Sequence, residues 1–544
     1  MLTRIAGGRV IDPAHGRDET GDVWIRDGRI VAAPAGERAD ETYDATGHVV
    51  MAGAIDIHSH IAGSNVNTAR LLLPEQHRAS EPRPAQTPLS TAGWSTFETG
   101  CRYAAMGFTT VVEPAVSPSY ALHAHLELAD IPIIDKAMLA VLGNDDFLLG
   151  LMQRNEGEAA VRDYVAWTLE TTRGLGIKVI NAGGAMALKS NVRAFSLDDV
   201  VPDYGVSSRQ IVKTLQHAVH ALGVPHPLHV HCNNLGLAGN SETALATIEA
   251  AEGLPLHLAH LQFYGYGREG ERGFSSAAPR LAEAVNRTKN VTIDIGQVMF
   301  GQTVTVSSDL LLQFNSRRQA NPNKWVIFDG DANGGGVVPY NYRADNFYNA
   351  LQWATGLELF LLIDDPWRVF FTTDHPNGAP FTTYPELFQL LMDRDARARQ
   401  IAALPPAAME LTTLPSLARE YSLNEIAIMT RASPAKLLGL TDRGHLGVGA
   451  VADVAVYAER ADKAQMFRAA ALVFKDGELV VRDGKVTRYH WGRALTVRPP
   501  DSGAIARRMR SYYEERFGLS SDLMAVPEWA IGRPQPFEFV SCRP

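Results

Sequence analysis

Short apolar runs of strand length alternate with helix-like stretches over the central part of the chain. Eight such runs occur: GAIDIHSH, GFTTVVEP, IPIIDKAMLAV, GIKVIN, PLHVHCNN, LPLHLAHLQ, VTIDIGQV and VFFTTD. Single runs of this kind also occur in buried helices, but their regular alternation with helical stretches is typical of a parallel sheet. Because a (β/α)8 barrel has eight strands, the pattern predicts an α/β fold with a TIM-like barrel over residues 53–440, with an insertion around 299–367.

Both ends of the chain have a different pattern. Residues 1–52 contain GDVWIRDGRIVAA and residues 441–498 contain AALVFKDGELVVRDGKV, in which apolar and polar residues alternate around RDG and KDG turns. Alternation around such turns indicates β-hairpins. We therefore predict a small β-sandwich domain built from both chain ends, followed by a tail over 499–544 that contains a polar helix.

Composition excludes several classes of protein. The 544 residues carry a formal net charge of −9, so the sequence offers no broad basic surface for nucleic acid. The three cysteines form no CxxC pair, which argues against a disulfide framework and favours a cytoplasmic protein. The N-terminus has no apolar signal-like region and no run of about 18 apolar residues occurs, so we expect no membrane span.

The first central run ends with a His-x-His pair, His58 and His60. Residues i and i+2 of a strand point the same way, so both imidazoles could bind one metal ion at the mouth of the barrel. Histidine pairs at strand ends also occur without any ligand. The metal interpretation therefore depends on what the other runs contribute.

Lys178 lies inside the apolar run GIKVIN, where a buried ammonium is costly unless it is compensated. One possibility is addition of carbon dioxide to the amine, which gives a carbamate whose two oxygens can bridge two metal ions. The other is an ordinary lysine that extends from the strand end to a carboxylate. Taken alone, the run leaves both possibilities open.

Three later runs supply further ligands at their ends. In PLHVHCNN and LPLHLAHLQ the later histidines, His231 and His260, lie nearer the predicted mouth. We expect His229 either directly behind the ligands or in the core, and His257 on the opposite side of its strand. VFFTTD ends in Asp374, which could bind a metal ion and transfer a proton, or could simply cap a turn. We predict that His375, the next residue, faces away.

A second His-x-His pair, His123 and His125, serves as a comparison. It lies in ALHAHLELAD, which has the pattern of a helix. Residues i and i+2 of a helix point in divergent directions, so these histidines cannot chelate one ion together. We assign both to the surface.

The ordered series His58, His60, Lys178, His231, His260 and Asp374, framed by a split β domain, resembles the amidohydrolase superfamily. The resemblance implies a centre of two Zn²⁺ ions bridged by an N6-carboxylated Lys178. It further implies that His58, His60 and Asp374 bind one zinc and His231 and His260 the other. Asp374 and Lys178 would be the catalytic residues, with Asp374 moving a proton from the attacking hydroxide to the leaving amine.

The flanking segments HSHIAGSNVNTARLLLPEQHR, HVHCNNLG, HLAHLQFYGYG and TTDHPNGAPFTTYPELF narrow the resemblance. They are similar to the family of the A subunit of formylmethanofuran dehydrogenase and, more closely, of the alpha subunit of the bacterial formyltransferase/hydrolase complex. This implies reversible cleavage of the N-formyl amide of a furan C1-carrier cofactor, giving formate and the free amine, by one subunit of a hetero-oligomer in one-carbon metabolism.

Substrate contacts are expected beside the metal ligands, at Asn65, Asn67, Arg70, Arg78, Asn233 and Asn234. An anionic tail on the furan cofactor would favour Arg70 and Arg78, although solvated loop cations explain these two residues equally well. Three alternative functions remain. They are a cyclic-amide hydrolase of the hydantoinase or dihydropyrimidinase kind, a dehydrogenase subunit working in the formylating direction, and a scaffold without metals.

Overall fold

The computed structural model describes residues 1–72, 96–192, 195–307, 336–500, 503–531 and 537–543. The predicted substrate contact Arg78 lies outside them. The strands of the described residues are β1 (Leu2–Asp12), β2 (Arg17–Arg26), β3 (Arg29–Val31), β4 (Glu41–Asp44), β5 (His48–Ala52), β6 (Ala54–Asp56), β7 (Phe108–Val116), β8 (Asp135–Leu142), β9 (Gly176–Ile180), β10 (Leu228–His231), β11 (Leu256–Leu258), β12 (Tyr266–Gly267), β13 (Ser275–Ser276), β14 (Val291–Asp294), β15 (Gly301–Ser307), β16 (Gly336–Tyr342), β17 (Val369–Phe370), β18 (Val454–Ala458), β19 (Leu472–Lys475), β20 (Glu478–Arg482), β21 (Lys485–Val486), β22 (Ala494–Val497) and β23 (Phe537–Val540).

Helices follow most of the central strands, as a barrel of βα units requires. Some have clear start signals: Ser207 and Gln210 form a capping box at one helix, and the Asn346 side chain caps another. The α-helices are Ser64–Leu71, Thr96–Ala105, Ala121–Asp130, Asp146–Gln153, Glu158–Thr172, Gly184–Lys189, Ser208–Ala221, Ser241–Ala250, Ala278–Arg287, Phe347–Leu362, Tyr384–Met392, Arg394–Ala402, Pro406–Met409, Leu423–Ala427, Ser433–Leu438, Lys463–Arg468 and Ala504–Phe517. Within the described part of the chain, none of the helices is both long and apolar enough to cross a membrane.

Eight parallel strands form the central sheet, in the order β6, β7, β8, β9, β10, β11, β14 and β17. The first and last strands approach each other just beyond their ends, where Ser59 bridges His375 and the His60 amide donates to the His375 carbonyl at 2.8 Å. Each strand coincides with one of the eight apolar runs. The prediction of a TIM-like barrel is therefore confirmed.

Strands from both chain ends form a second, nine-stranded sheet, in which β18 pairs antiparallel with β5. Its alternating side chains separate two cores. Val50 and Ala52 contribute to a core within the β domain, whereas Val49 and Met51 pack into the main core that includes the barrel. The period of two along β5 thus attaches this domain to the barrel through one face of its sheet.

The C-terminal part of the chain departs from the predicted division in one respect. Residues 494–497, placed by sequence in the β domain, form β22, which pairs with β8 of the barrel sheet. β23, from the predicted tail, then pairs parallel with β22. These two strands extend the barrel sheet at β8, because their backbone groups bond there rather than to the β domain.

The predicted insertion contains a hairpin and a helix. β15 and β16 pair antiparallel, and Val304 and Val337 pack on Ala69 of the helix Ser64–Leu71. The helix Phe347–Leu362 then leads to the last barrel strand. The hairpin therefore lies beside the helix that follows His60, on the same side of the barrel as the strand ends.

Candidate metal centre

All six predicted ligands lie on barrel strands or just after them. His58 and His60 follow β6, Lys178 lies in β9, and His231 ends β10; His260 and Asp374 follow β11 and β17. The carboxyl ends of parallel barrel strands share one face, which is where active sites of this architecture are found. The topology accordingly brings residues separated by more than three hundred positions to one place.

His58, His60 and Asp374 form the first cluster. Their potential ligand atoms all lie within 4.8 Å of one another, and Asp374 Oδ1 is 3.1 Å from His58 Nε2 and 3.4 Å from His60 Nε2. Two of these atoms, His58 Nε2 and Asp374 Oδ1, are buried without a hydrogen-bond partner. A buried polar atom without a partner costs about 1–3 kcal/mol, and a divalent cation would satisfy both atoms. The donor set therefore fits a metal ion.

His231 and His260 lie beside this cluster. Their ring centroids are 4.7 Å apart, and the His260 ring is 5.2 Å from that of His58. His260 has a left-handed backbone with φ of 34°, and Gly296 passes so close that a Cβ there would lie 2.4 Å from the His260 Cβ. The absence of a side chain at Gly296 thus leaves room for the strained turn that presents His260.

Lys178 lies in β9 and is 1% exposed. It is paired with Val141 of β8 on one side and with His229 of β10 on the other. Burial lowers the pKa of its amine to about 8, although the negative charges of Asp294, Asp374 and Glu113 act in the opposite direction. Lys178 forms no ion pair within the described residues, unlike a lysine that reaches a carboxylate. A buried amine with a lowered pKa is readily deprotonated, and the neutral amine is the form that can add to carbon dioxide.

Two carboxylates at this centre were not among the sequence predictions. Asp294 Oδ2 accepts hydrogen bonds from His58 Nδ1 at 2.9 Å and from His257 Nε2 at 3.0 Å, and Asp294 Oδ1 accepts from the His260 amide at 2.6 Å. Glu113 Oε1 lies 2.9 Å from His60 Nδ1. A signal was present in the sequence, because both residues are acids within apolar runs, VTIDIGQV and GFTTVVEP.

Three further histidines lie beneath the cluster. His229 Nε2 is 3.0 Å from His58 Nδ1, and His226 Nε2 is 3.0 Å from His229 Nδ1. His257 bonds to Asp294 and to the Thr292 hydroxyl. His229 therefore occupies the core position expected from sequence.

The His375 side chain contacts Phe381. Its Nδ1 accepts a hydrogen bond from the Phe381 amide at 3.2 Å, and its ring packs edge-on against the Phe381 ring. Burial lowers the pKa of its imidazole to about 3, with the Arg70 and His60 charges acting in the same direction.

The prediction that both histidines of the second His-x-His pair lie on the surface is correct for His123 and wrong for His125. His123 is exposed and pairs with Glu127, but His125 is buried, donates to the Thr172 carbonyl at 2.9 Å and packs against the Phe537 ring. The two side chains do diverge on the helix Ala121–Asp130. The one that faces inward is covered by β23, a contact that sequence spacing does not reveal.

The segment after His60, which includes the helix Ser64–Leu71, is held by charged side chains. The buried Arg70 donates to Asn67 Oδ1 at 2.6 Å and to the Ile61 carbonyl, and Asn67 donates to Glu127. Asn65 is exposed. Of the predicted substrate residues in this helix, Arg70 and Asn67 therefore already bond within the chain.

The two asparagines after His231 connect neighbouring loops. Asn233 Nδ2 donates to Asn181 Oδ1 at 2.9 Å, and Asn233 Oδ1 accepts from the Ser208 hydroxyl at 3.1 Å. Asn234 Oδ1 accepts from the Phe195 amide at 3.2 Å. Both residues thus link the loops around the mouth of the barrel.

Asn377 orients Asp374. It donates to Asp374 Oδ2 at 2.9 Å, and its own Oδ1 accepts from the Val306 amide of the hairpin at 2.7 Å. Because Oδ2 is occupied, Oδ1 is the oxygen directed at His58 and His60. The hairpin is therefore coupled to the orientation of the acid.

Comparison with known proteins gives relatives over the whole chain. The amidohydrolase family model matches residues 41–488. The chain is 54% identical to the A subunit of the formyltransferase/hydrolase complex Fhc of Methylorubrum extorquens, over 100% of both chains. It is 38% identical to protein FwdA of Methanocaldococcus jannaschii, over 91% of this chain and 90% of that protein.

Solved structures give the same grouping. The crystal structure of the formyltransferase/hydrolase complex (FhcABCD) from Methylorubrum extorquens in complex with methylofuran contains a chain that matches with a TM-score of 0.94 and 54% identity, over 100% of both chains. An N-acyl-D-glutamate deacylase from Bordetella bronchiseptica matches with a TM-score of 0.51 and 17% identity, covering 89% of this chain and 98% of that chain. The second match shows a common fold.

Proposed function

Because the chain belongs to the amidohydrolase family, we propose that this hydrolase cleaves the N-formyl amide of a furan C1-carrier cofactor, reversibly, to formate and the free amine. In this proposal it works in the cytoplasm as one subunit of a formyltransferase/hydrolase complex. The observation that carries the proposal is the full-length identity of 54% to the A subunit of such a complex, whose structure contains methylofuran. The site supports it, because every metal-ligand position holds a competent residue.

The positions of the predicted ligands support a proposal for the metal centre. His58, His60 and Asp374 would hold one zinc ion, His231 and His260 a second, and Lys178, carboxylated on Nζ, would bridge them. Two such ions, when bound, supply a hydroxide nucleophile at neutral pH and polarise the formyl oxygen. The chain contributes buried ligands, with Lys178 and His58 almost fully shielded from solvent.

Asp374 is the proposed proton carrier. Asn377 holds its Oδ2, so Oδ1 faces the reacting centre, where it accepts a proton from the attacking nucleophile. The same oxygen then delivers the proton to the departing nitrogen, because an amine leaves far more readily than an amide anion. In the reverse direction, Asp374 takes a proton from the incoming amine.

The proposed substrate contacts are Asn65, Asn67, Arg70, Arg78, Asn233 and Asn234. Asn65 is exposed and accessible to a ligand from solvent. Burial lowers the pKa of the Arg70 guanidinium to about 10, and the negative charges of Glu127 and Glu113 act in the opposite direction. In this proposal Arg70 presents a cation to an anionic tail beside the mouth.

Metal analysis and turnover test the proposal together. The purified chain is expected to contain two zinc ions, to hydrolyse a formylated furan cofactor, and to leave dihydrouracil unchanged. A folded native protein free of metal would contradict the metal centre. Turnover of dihydrouracil alone would instead favour the cyclic-amide alternative.

Co-purification from the native cell tests the complex. A formyltransferase among the partners is the expected result. A molybdenum or tungsten subunit in its place would identify a dehydrogenase working in the formylating direction.

A further inference from the structure

Each histidine of the first pair is held between two acids. His58 Nε2 faces Asp374 Oδ1 at 3.1 Å, and its Nδ1 lies 2.9 Å from Asp294 Oδ2. His60 Nε2 faces the same oxygen of Asp374 at 3.4 Å, and its Nδ1 lies 2.9 Å from Glu113 Oε1. Asp294 and Glu113 are both buried. The two inner acids therefore stand in equivalent positions behind the two histidines.

A neutral imidazole carries one proton, and it binds a metal ion only through the nitrogen that lacks it. A carboxylate is an acceptor, so its partner nitrogen must be the N–H. Asp294 behind His58, and Glu113 behind His60, thus place both protons on Nδ1. This leaves both Nε2 lone pairs directed at the metal position.

His229 competes for the same nitrogen of His58. Its Nε2 lies 3.0 Å from His58 Nδ1, and its Nδ1 lies 3.0 Å from His226 Nε2. If His226 donates to His229, the His229 proton is on Nε2 and points at His58 Nδ1. In the absence of an acceptor such as Asp294, His58 would then carry its own proton on Nε2, which prevents metal binding.

Asp294 makes one further contact of this kind. Its Oδ1 accepts from the backbone amide of His260 at 2.6 Å, in the turn that presents the His260 ring. Glu113 has a different second set of partners, because its Oε2 accepts from the amides of Ile61 and Ala62, which start the loop after His60. One acid thus supports ligands of both proposed metal positions, and the other supports one ligand and a loop.

We infer that Asp294 and Glu113 are positioning residues that select the metal-binding tautomers of His58 and His60, Asp294 also fixing the turn at His260. The inference rests on the proposed function, because it presupposes a metal at this centre. Acids that orient metal-binding histidines typically change metal affinity by about 10–100-fold when they are removed.

The test is zinc affinity, measured by competition with a chelator, in the full chain carrying Asp294→Asn or Glu113→Gln. Each amide keeps the size of the acid but can donate to Nδ1, which drives the proton onto Nε2. We expect zinc to bind about 10–100-fold more weakly in both variants. Asp294→Asn should weaken the binding of both zinc ions, whereas Glu113→Gln should weaken the binding of one.

Matched controls separate positioning from stability. Asp145→Asn removes a charge at the same end of the barrel, where Asp145 caps the helix Asp146–Gln153. Glu358→Gln removes a buried acid that bonds Thr413. Both controls should keep wild-type zinc affinity, and Asp294→Glu, which keeps the carboxylate, should regain part of the loss.

Circular dichroism and the melting temperature of each metal-free variant establish that it is folded. Wild-type zinc affinity in folded Asp294→Asn and Glu113→Gln would overturn the inference, as would an equal loss in the two controls. Absence of zinc binding by the wild-type chain would instead overturn the proposed function, and the inference with it. Should Asp294→Asn fail to fold, Glu113→Gln decides the outcome.

Discussion

Two buried lysines, Lys178 and Lys475, have different surroundings, and their pKa values shift in opposite directions. Lys178, in the barrel, is 1% exposed, and Lys475, at the edge between the barrel and the β domain, is 0% exposed. Lys475 Nζ lies 3.0 Å from Asp453 Oδ1 and 3.3 Å from Asp135 Oδ2, and these charges raise the pKa of Lys475 although burial alone would lower it. At Lys178 burial prevails and the pKa falls to about 8.

The surroundings of the two lysines differ in the same way. Around Lys475, Arg443 bonds Asp135 at 2.9 Å and also Glu538 of β23, so the ion pairs connect the barrel, the β domain and the C-terminal strand. Around Lys178, the described residues leave four buried polar atoms without hydrogen bonds: His58 Nε2, His226 Nδ1, His260 Nδ1 and Asp374 Oδ1. A buried charge with ion-pair partners, such as Lys475, has a structural role. Buried polar atoms that converge without hydrogen-bond partners, as around Lys178, indicate the position of a ligand.

Substitution of each lysine by methionine gives the largest expected contrast. Lys178→Met should reduce hydrolysis by about 10⁴-fold, since metal catalysis contributes several kcal/mol, while the metal-free protein stays folded. Lys475→Met should cost about 3–5 kcal/mol of unfolding free energy, because it leaves buried carboxylates unpaired. Urea unfolding and single-turnover assays measure the two effects. Wild-type activity and zinc content in Lys178→Met would refute the proposed carbamate.

Asp374→Asn should have the next largest effect. Loss of the proton carrier is expected to lower kcat by about 10³-fold. The variant should remain folded, with a stability similar to that of the wild type. The formate released from a formylated furan cofactor measures kcat, with zinc content determined on the same sample. Wild-type turnover by this variant would remove Asp374 from the proposed mechanism, and Asp145→Asn is the matched control.

The pH dependence of stability gives a smaller contrast, in metal-free protein and buffer free of carbon dioxide. The pKa of Lys178 is about 8 in the fold and 10.5 in the unfolded chain, so between these values the unfolded chain binds more protons. The contribution of Lys178 should therefore raise stability by about 2 kcal/mol from about pH 8 to about pH 10.

The raised pKa of Lys475 has the opposite effect on the change of stability with pH. The stabilisation by Lys475 is fully present below the unfolded pKa of 10.5 and is lost only as the pH rises above it.

Urea unfolding of the wild type and of Lys178→Met, at about pH 8 and about pH 10, isolates the Lys178 contribution. The quantity compared is the difference in unfolding free energy between the two proteins. An unchanged difference would show that the lysine does not lose its proton in this window.

Much of this architecture could be predicted from local pattern. The eight apolar runs became the eight barrel strands, because a buried parallel strand must be apolar on both faces. The six proposed ligands could be selected because polar residues at the ends of such runs meet on one face. Their roles, and those of the substrate residues, stay predictions.

Other features depend on contacts between distant segments. His125 was assigned to the surface, but β23, more than four hundred residues later in the chain, covers it. The residues 494–497 have the composition of the β domain and pair with the barrel instead. Neither contact has a local signature.

By itself, the sequence determined the strand periodicity, the order of the polar residues at the strand ends and hence the kind of chemistry, because side-chain direction along a strand follows from its period of two. Only the tertiary structure decided that Lys178 has no ion pair among the described residues while Lys475 has several, and that Asp294 and Glu113 stand behind His58 and His60. The cost of a buried charge depends on which groups surround it in space, and those groups come from strands far apart in the chain.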